Sequence, residues 1–252
     1  MKILLTNDDG VTSEGLFALK ECLAPDHEIV VLAPDRNWSI SGHTRTMDRP
    51  LRVTEVKLRD GSDAFSTDGT PSDCVALAAL GFLDHIPDLV ISGINHGNNL
   101  GDDITYSGTV AAAMEGVISG MPSIAVSMAT DPIWPVEVGA AFVRRLVEQI
   151  AVHGIAKDIL LNVNVPSLPH DDIKGVKITR LGKRIYQDEL IVRNDPRGRK
   201  YYWMGGTNVT NHLEEGTDVS AIEDGYVTIT PIHMDLTNHR LLETLRGWDL
   251  RF

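Results

Sequence analysis

Short apolar runs alternate with helical stretches through the first two-thirds of this chain, and that alternation limits the fold more than any other feature. Ile3-Leu4-Leu5, Ile29-Val30-Val31-Leu32, the segment Asp88 to Ser92, Ile124-Ala125-Val126-Ser127 and Ile159 to Val165 each read as a short buried strand. A strand that is apolar on both faces must be covered on both, which is the condition of a parallel sheet with helices on either side. Leu16, Leu19 and Leu23 make one helical face between the first two runs, so residues 2–33 read as a βαβ unit with a right-handed crossover. The expected fold class is α/β, with a mostly parallel sheet flanked by helices.

Further elements are expected around this frame. Thr12 or Ser13 caps the first helix, and residues 51–57 alternate like an edge or antiparallel strand. Thr70 caps a helix that Pro71 opens and that runs to about Leu83, and Ser107-Gly108-Thr109 opens another to about Ser119. Residues 95–103 form a Gly- and Asn-rich loop, and Val136 to His153 an amphipathic helix. After Pro166 the character changes. Residues 176–209 read as hairpins, with a turn at Asn194-Asp195-Pro196-Arg197-Gly198 between Leu190-Ile191-Val192 and Tyr201-Tyr202-Trp203. A short helix at 218–223, a strand at 226–232 and a helix over 236–248 follow. The expected division is a core at 1–175 and, at 176–252, hairpins and a C-terminal arm serving oligomerisation plus a returning strand. The aromatic hairpin suits either subunit contact or packing on the chain's own core.

Composition excludes several classes. The chain has 252 residues, 42% of them hydrophobic, which is enough to bury a core. Its net charge of -12 argues against stable binding to a nucleic-acid backbone. Cys22 and Cys74 fall in helical patterns and are expected to be buried free thiols of a reducing compartment. No signal-peptide pattern opens the chain, and no run approaches the roughly 18 apolar residues of a membrane span, so a cytoplasmic location is expected.

Asp8 and Asp9 stand where the first strand ends, and in open parallel sheets ligands collect beyond the carboxyl ends of the strands. Adjacent carboxylates repel each other, and a cation relieves that repulsion; the bland alternative is a solvated Asp-Asp-Gly turn. The loop with Ser39 and the turn at Asn95 also follow expected parallel strands, so the three loops converge if the strands are neighbours. Their donors are all hard oxygens, which favours Mg²⁺ or Mn²⁺ over Zn²⁺. Ser107-Gly108-Thr109 offers backbone N–H groups and a helix dipole to an anion, with ordinary capping as the alternative. Gly108 is expected to let a phosphate approach closely.

Other readings fail on the residues. The first turn lacks GxGxxG, and neither GxxxxGK[ST] nor a GxSxG elbow occurs. The haloacid-dehalogenase phosphatases place Asp-x-Asp after the first strand, whereas here the two are adjacent. Zinc deacetylases with His-Pro-Asp-Asp have a His where this chain has Thr6.

Four blocks in order resemble the survival protein SurE family: Ile3 to Gly10; Ala33-Pro34-Asp35-Arg36-Asn37-Trp38-Ser39; Gly69-Thr70-Pro71-Ser72-Asp73-Cys74; and Ser92 to Gly101 followed by Tyr106 to Gly116. The resemblance implies a Rossmann-like domain, a divalent cation (one per subunit), and homodimers or homotetramers that exchange C-terminal elements. It carries the metal ligands to Asp8, Asp9, Ser39 and Asn95, and the phosphate contacts to Ser107, Gly108 and Thr109. The loop after Ser39, Ile40-Ser41-Gly42-His43-Thr44, departs from the Gly- and Ser-rich stretch common in members, and Ser41 is an alternative ligand to Ser39.

The activity expected from residues and resemblance together is metal-dependent hydrolysis of nucleoside 5′- and 3′-monophosphates. Asp8, Asp9 and Asn95 are the expected catalytic residues. The nucleophile is a metal-activated water or, alternatively, Asp8 itself, with Asp9 or Asn95 orienting the water. His43 and His96 lie on the right loops but read as satisfied loop histidines. The rival readings are a non-catalytic nucleotide-binding protein and a nucleoside hydrolase.

Overall fold

Leu4 faces one core while its neighbours Ile3 and Leu5 face another, because successive side chains of a strand point to opposite faces. A central sheet buried on both sides follows from that. The computed structural model describes residues 1–130, 135–186, 189–205 and 209–250. In chain order the elements are β1 (Lys2–Thr6), α1 (Glu14–Leu23), β2 (Glu28–Pro34), β3 (Val53–Lys57), β4 (Asp63–Thr67), α2 (Pro71–Leu77), β5 (Leu89–His96), α3 (Gly108–Ile118), β6 (Ser123–Met128), α4 (Val136–His153) and β7 (Leu160–Val165). Then come β8 (Val176–Ile178), β9 (Lys183–Tyr186), β10 (Glu189–Asn194), β11 (Lys200–Gly205), β12 (Val209–His212), α5 (Asp218–Glu223), β13 (Val227–Ile232) and α6 (His239–Arg246).

Nine strands form one sheet in the order β3-β4-β2-β1-β5-β6-β7-β13-β8. The run from β4 to β7 is parallel. β3 is the antiparallel edge, and β13 enters antiparallel to β7. Helices α1 and α4 cover one face, where Leu16, Leu19, Val143 and Val147 meet Ile3, Leu5 and Ile91. Helices α2 and α3 cover the other, where Cys74, Val75 and Ala112 meet Leu4, Leu32 and Val90. The fold is α/β and Rossmann-like. Among the described residues no helix is long and apolar enough to cross a membrane.

Caps fall where the side chains dictate. Ser13 caps α1 by accepting from the Leu16 N–H, and Thr70 and Asp73 form a reciprocal capping box on α2. Several boundaries differ from expectation. α2 ends at Leu77 and passes into a wider turn over Ala78–Phe82, broken at Gly81 (φ 98°), so no α-helix continues to Leu83. β5 continues through the expected loop start to His96, and β4 had no counterpart in the sequence reading. The last helix begins only at His239, because Asn238 caps it by accepting from the Leu241 N–H. Cys74 is buried, whereas Cys22 is half-buried and donates its thiol to the Ala140 carbonyl.

Beyond residue 175 the chain divides its labour. β8 and β13 extend the main sheet, while β9 with β12 and β10 with β11 form two separate two-stranded ribbons. Every residue of β10 and β11 is exposed.

Candidate metal and phosphate site

The order β2-β1-β5 makes the three expected loops neighbours beyond the strand ends. The turn after β1 is braced from within. Buried Asn7 donates from Nδ2 to the Gly10 carbonyl (3.1 Å) and to Ser13 Oγ (2.5 Å), while its Oδ1 accepts from the Gly10 N–H. That scaffold leaves the next two side chains, Asp8 and Asp9, for other partners. Gly10 has φ 105°, in the region that favours glycine, and lets the Arg36 backbone approach.

Asp8 is 4% exposed. The Thr109 hydroxyl donates to its Oδ1, and its own carbonyl accepts from the Trp38 N–H at 2.7 Å. Burial pushes its carboxyl up to about 6, the negative charge of Asp9 adds to the rise, and the Thr109 hydrogen bond works against it. Asp9 is also raised, chiefly by burial, with the His96 N–H opposing. Its Oδ1 accepts from Asn37 Nδ2 (3.1 Å) and its Oδ2 from the His96 backbone (3.3 Å). Asn37 is a residue the sequence reading passed over. Its Oδ1 accepts from both the N–H (2.7 Å) and the Oγ (2.5 Å) of Ser39, so one amide joins Asp9 to Ser39. Asn95 donates from Nδ2 to the Gly97 carbonyl (2.8 Å), which fixes its amide plane.

A cleft of about 530 Å³ collects Asp8, Ser39, Asn95 and Ser107, together with His96, Asp103, Tyr106 and Arg184. Asp9 borders it through its bond to His96. Ser107 caps α3 by accepting from the Val110 N–H (3.1 Å). Thr109 is fully buried and enters the site through Asp8. Packing within the chain also calls for a glycine at Gly108. A Cβ there would stand 2.8 Å from Asp8 Cβ and 2.9 Å from Ser41 Oγ, so the carboxylate and the serine themselves require the glycine. His43 is taken by buried Glu115, with Nε2 to Oε2 at 3.0 Å, and does not line the cleft, whereas His96 does. Asp103, Tyr106 and Arg184 were also missed, since no spacing links Arg184 to the motifs it joins.

The donors suit a hard divalent cation. Asp8 and Asp9 are adjacent, burial raises both carboxyls, and Ser39 and Asn95 line the cleft with Asp8. The Ser41 Oγ is buried beside Asp8 without a hydrogen-bond partner. Among the described residues no group of three or more His, Cys, Asp or Glu gathers as a metal cluster.

Fold and cleft together define an open-sheet α/β protein with an oxygen-donor site beyond the carboxyl ends of its parallel strands. The chain belongs to the survival protein SurE family, whose model matches residues 3–188. A protein of Chloroflexus aggregans named 5′-nucleotidase SurE is 54% identical, over 99% of both chains. One of the same name from Geobacter metallireducens is 48% identical, over 99% of this chain and 98% of its own. The crystal structure of the SurE protein from Aquifex aeolicus superposes with a TM-score of 0.86 at 44% identity, covering 98% of each chain.

Proposed function

We propose that this chain is a metal-dependent phosphomonoesterase that hydrolyses nucleoside 5′- and 3′-monophosphates to nucleoside and phosphate. The observation that carries the reading is the meeting of Asp8, Ser39, Asn95 and Ser107, the N-cap of α3, in one cleft. The name 5′-nucleotidase borne by relatives of near-equal length supports it. Asp8, Asp9, Ser39 and Asn95 are assigned to one divalent cation per subunit, Mg²⁺ or Mn²⁺, with Ser41 as the alternative hydroxyl. The cation supplies Lewis-acid stabilisation of phosphoryl charge and a more acidic water.

The chain's own residues do the rest. Asn37 holds Asp9 and Ser39 in register, and the Thr109 hydroxyl fixes the Asp8 carboxylate. Ser107, Gly108 and Thr109 begin the helix assigned to the phosphate, where the positive end of its dipole favours an anion. Asp9 or Asn95 is assigned to orient the attacking water. The region 176–252 is assigned to assembly as a homodimer or homotetramer, apart from β8 and β13, which complete the sheet of the 1–175 core. The exposed apolar residues of β10 and β11 support that assignment, and the two free cysteines suit the reducing cytoplasm.

Phosphate release from a panel of 5′- and 3′-nucleotides, assayed with Mg²⁺, Mn²⁺ and Zn²⁺ in turn, tests the reading. Metal-dependent release of phosphate is expected. Binding without release would leave a nucleotide-binding protein, and free base as product would establish a nucleoside hydrolase.

A further inference from the structure

One wall of the cleft comes from the last third of the chain. Arg184, on β9, lines the same cleft as Asp8, Ser39 and Asn95. Its Nη1 lies 2.6 Å from Asp103 Oδ2, and the two side chains are only 21% and 15% exposed. The backbone beneath them is stitched together. Buried Asp218 accepts from the N–H of Gly101 (2.9 Å) and of Gly182 (2.6 Å). A Cβ on Gly101 would stand 2.6 Å from the Gly182 carbonyl oxygen, so the turn carrying Asp103 and the approach to β9 are in direct contact. Arg184 is therefore held on a braced wall and is not a loose surface side chain.

Of the described residues lining this cleft, Asp8 and Asp103 carry carboxylates and Arg184 alone carries a permanent positive charge. A phosphate monoester arrives with nearly two negative charges at neutral pH. The planar guanidinium presents a fork of donors that matches phosphate oxygens, and a carboxylate bonded to one arm sets the plane of the rest. We propose that Arg184 is a substrate-binding residue that contacts the phosphate group, with Asp103 as its positioning partner. The proposal rests on the reading of this cleft as a phosphomonoesterase site. It makes the region beyond residue 175 part of the substrate pocket as well as a candidate for assembly. The competing reading is that the Asp103–Arg184 pair only ties β9 to the turn at Gly101–Thr105.

Three variants of the full chain, Arg184→Gln, Arg184→Lys and Asp103→Asn, separate the two. Inorganic phosphate binding to metal-loaded protein is measured by calorimetry. Kinetics are measured on a nucleoside 5′-monophosphate and on p-nitrophenyl phosphate, with melting curves alongside. Arg184→Gln should weaken phosphate binding roughly tenfold or more and raise KM for both substrates in proportion, with divalent-metal affinity unchanged. Arg184→Lys, which keeps the charge and loses the fork, should recover part of the loss. Asp103→Asn should lose less than Arg184→Gln. Unchanged phosphate affinity in folded Arg184→Gln or Arg184→Lys protein, with both Arg184→Gln and Asp103→Asn melting lower, would overturn the proposal in favour of the tether. A KM rise confined to the nucleotide would also overturn it, by placing Arg184 at the nucleoside end. Wild-type protein that binds phosphate yet releases none from any nucleotide would sink the enzymatic reading alone, since the calorimetric comparison would still stand.

Discussion

Asp8 and Trp203 break the burial rule in opposite directions. Asp8 is a carboxylate 4% exposed, and Trp203 is an indole 63% exposed. Charged groups are seldom fully buried unless something compensates them, and large apolar patches are seldom left open without use. Around Asp8 the compensation is partial: one hydroxyl bond and a carboxyl raised towards neutrality beside a second carboxylate. Around Trp203 the described residues build no core: the β10–β11 ribbon is exposed along its length, and a lone two-stranded ribbon is marginal in water. Each is locally unfavourable, and the proposed cation would relieve the first and the proposed subunit contact the second.

The largest expected effect tests the buried half of that contrast. Asp9→Ala should remove one charged donor and lower phosphatase activity by about two orders of magnitude or more, with the fold retained. Metal titration and circular dichroism check it, and wild-type metal affinity in a folded variant would end the paired-carboxylate reading.

Asp8→Asn should trade function for stability. The folded-state carboxyl is raised from 3.8 to about 6, so folding takes up a proton between those values. The stability contribution is whole below about 4 and is lost as pH rises through about 6. Removing the charge should therefore stabilise metal-free protein above pH 6 by on the order of 2–3 kcal/mol, while metal binding collapses. Urea melts across pH should show the gain shrinking as pH falls towards 4. A gain independent of pH would mean that burial of the charge is not its source.

The exposed half is tested by Ile191→Ser with Trp203→Ser, which face each other across the ribbon. Both side chains are exposed in the subunit, so its own stability should change by only about 0.5 kcal/mol. The association constant should fall by roughly tenfold or more, as a drop in mass by light scattering over a dilution series. A wild-type monomer at micromolar concentration would refute the assignment of this ribbon to assembly.

The smallest effect concerns the loop between the two regimes. Ile40 has φ 60° with an 82% exposed, β-branched side chain, a backbone region that such residues avoid. Ile40→Asn should raise stability by about 0.5–1 kcal/mol, because asparagine tolerates this conformation. A lower melting temperature would show that the Ile40 side chain is held by something in the cleft.

Much of the site was legible because strand ends are local features. Two carboxylates after an apolar run, and Pro71 after Thr70, announce their geometry within a few residues, and the structure places both as read. The convergence of Ser39 and Asn95 on Asp8 was legible only in part, since it needed β2, β1 and β5 to be neighbours. The packing requirement at Gly108 was not legible because its close contacts, Asp8 and Ser41, come from distant segments. Asn37 was hidden for a different reason. It lies in a quoted motif, yet only its side-chain orientation shows that it bridges Asp9 and Ser39.

The sequence by itself determined the alternation of elements, the two-faced burial of the strands and the oxygen character of the donors, because these depend on residue type and short spacing. Tertiary structure alone decided which strands adjoin, how far Asp8 is withdrawn from water, and that Arg184 reaches Asp103 across the fold. Those outcomes depend on backbone approach between segments remote in sequence, as where Asp218 gathers Gly101 and Gly182, and no local pattern encodes such distances.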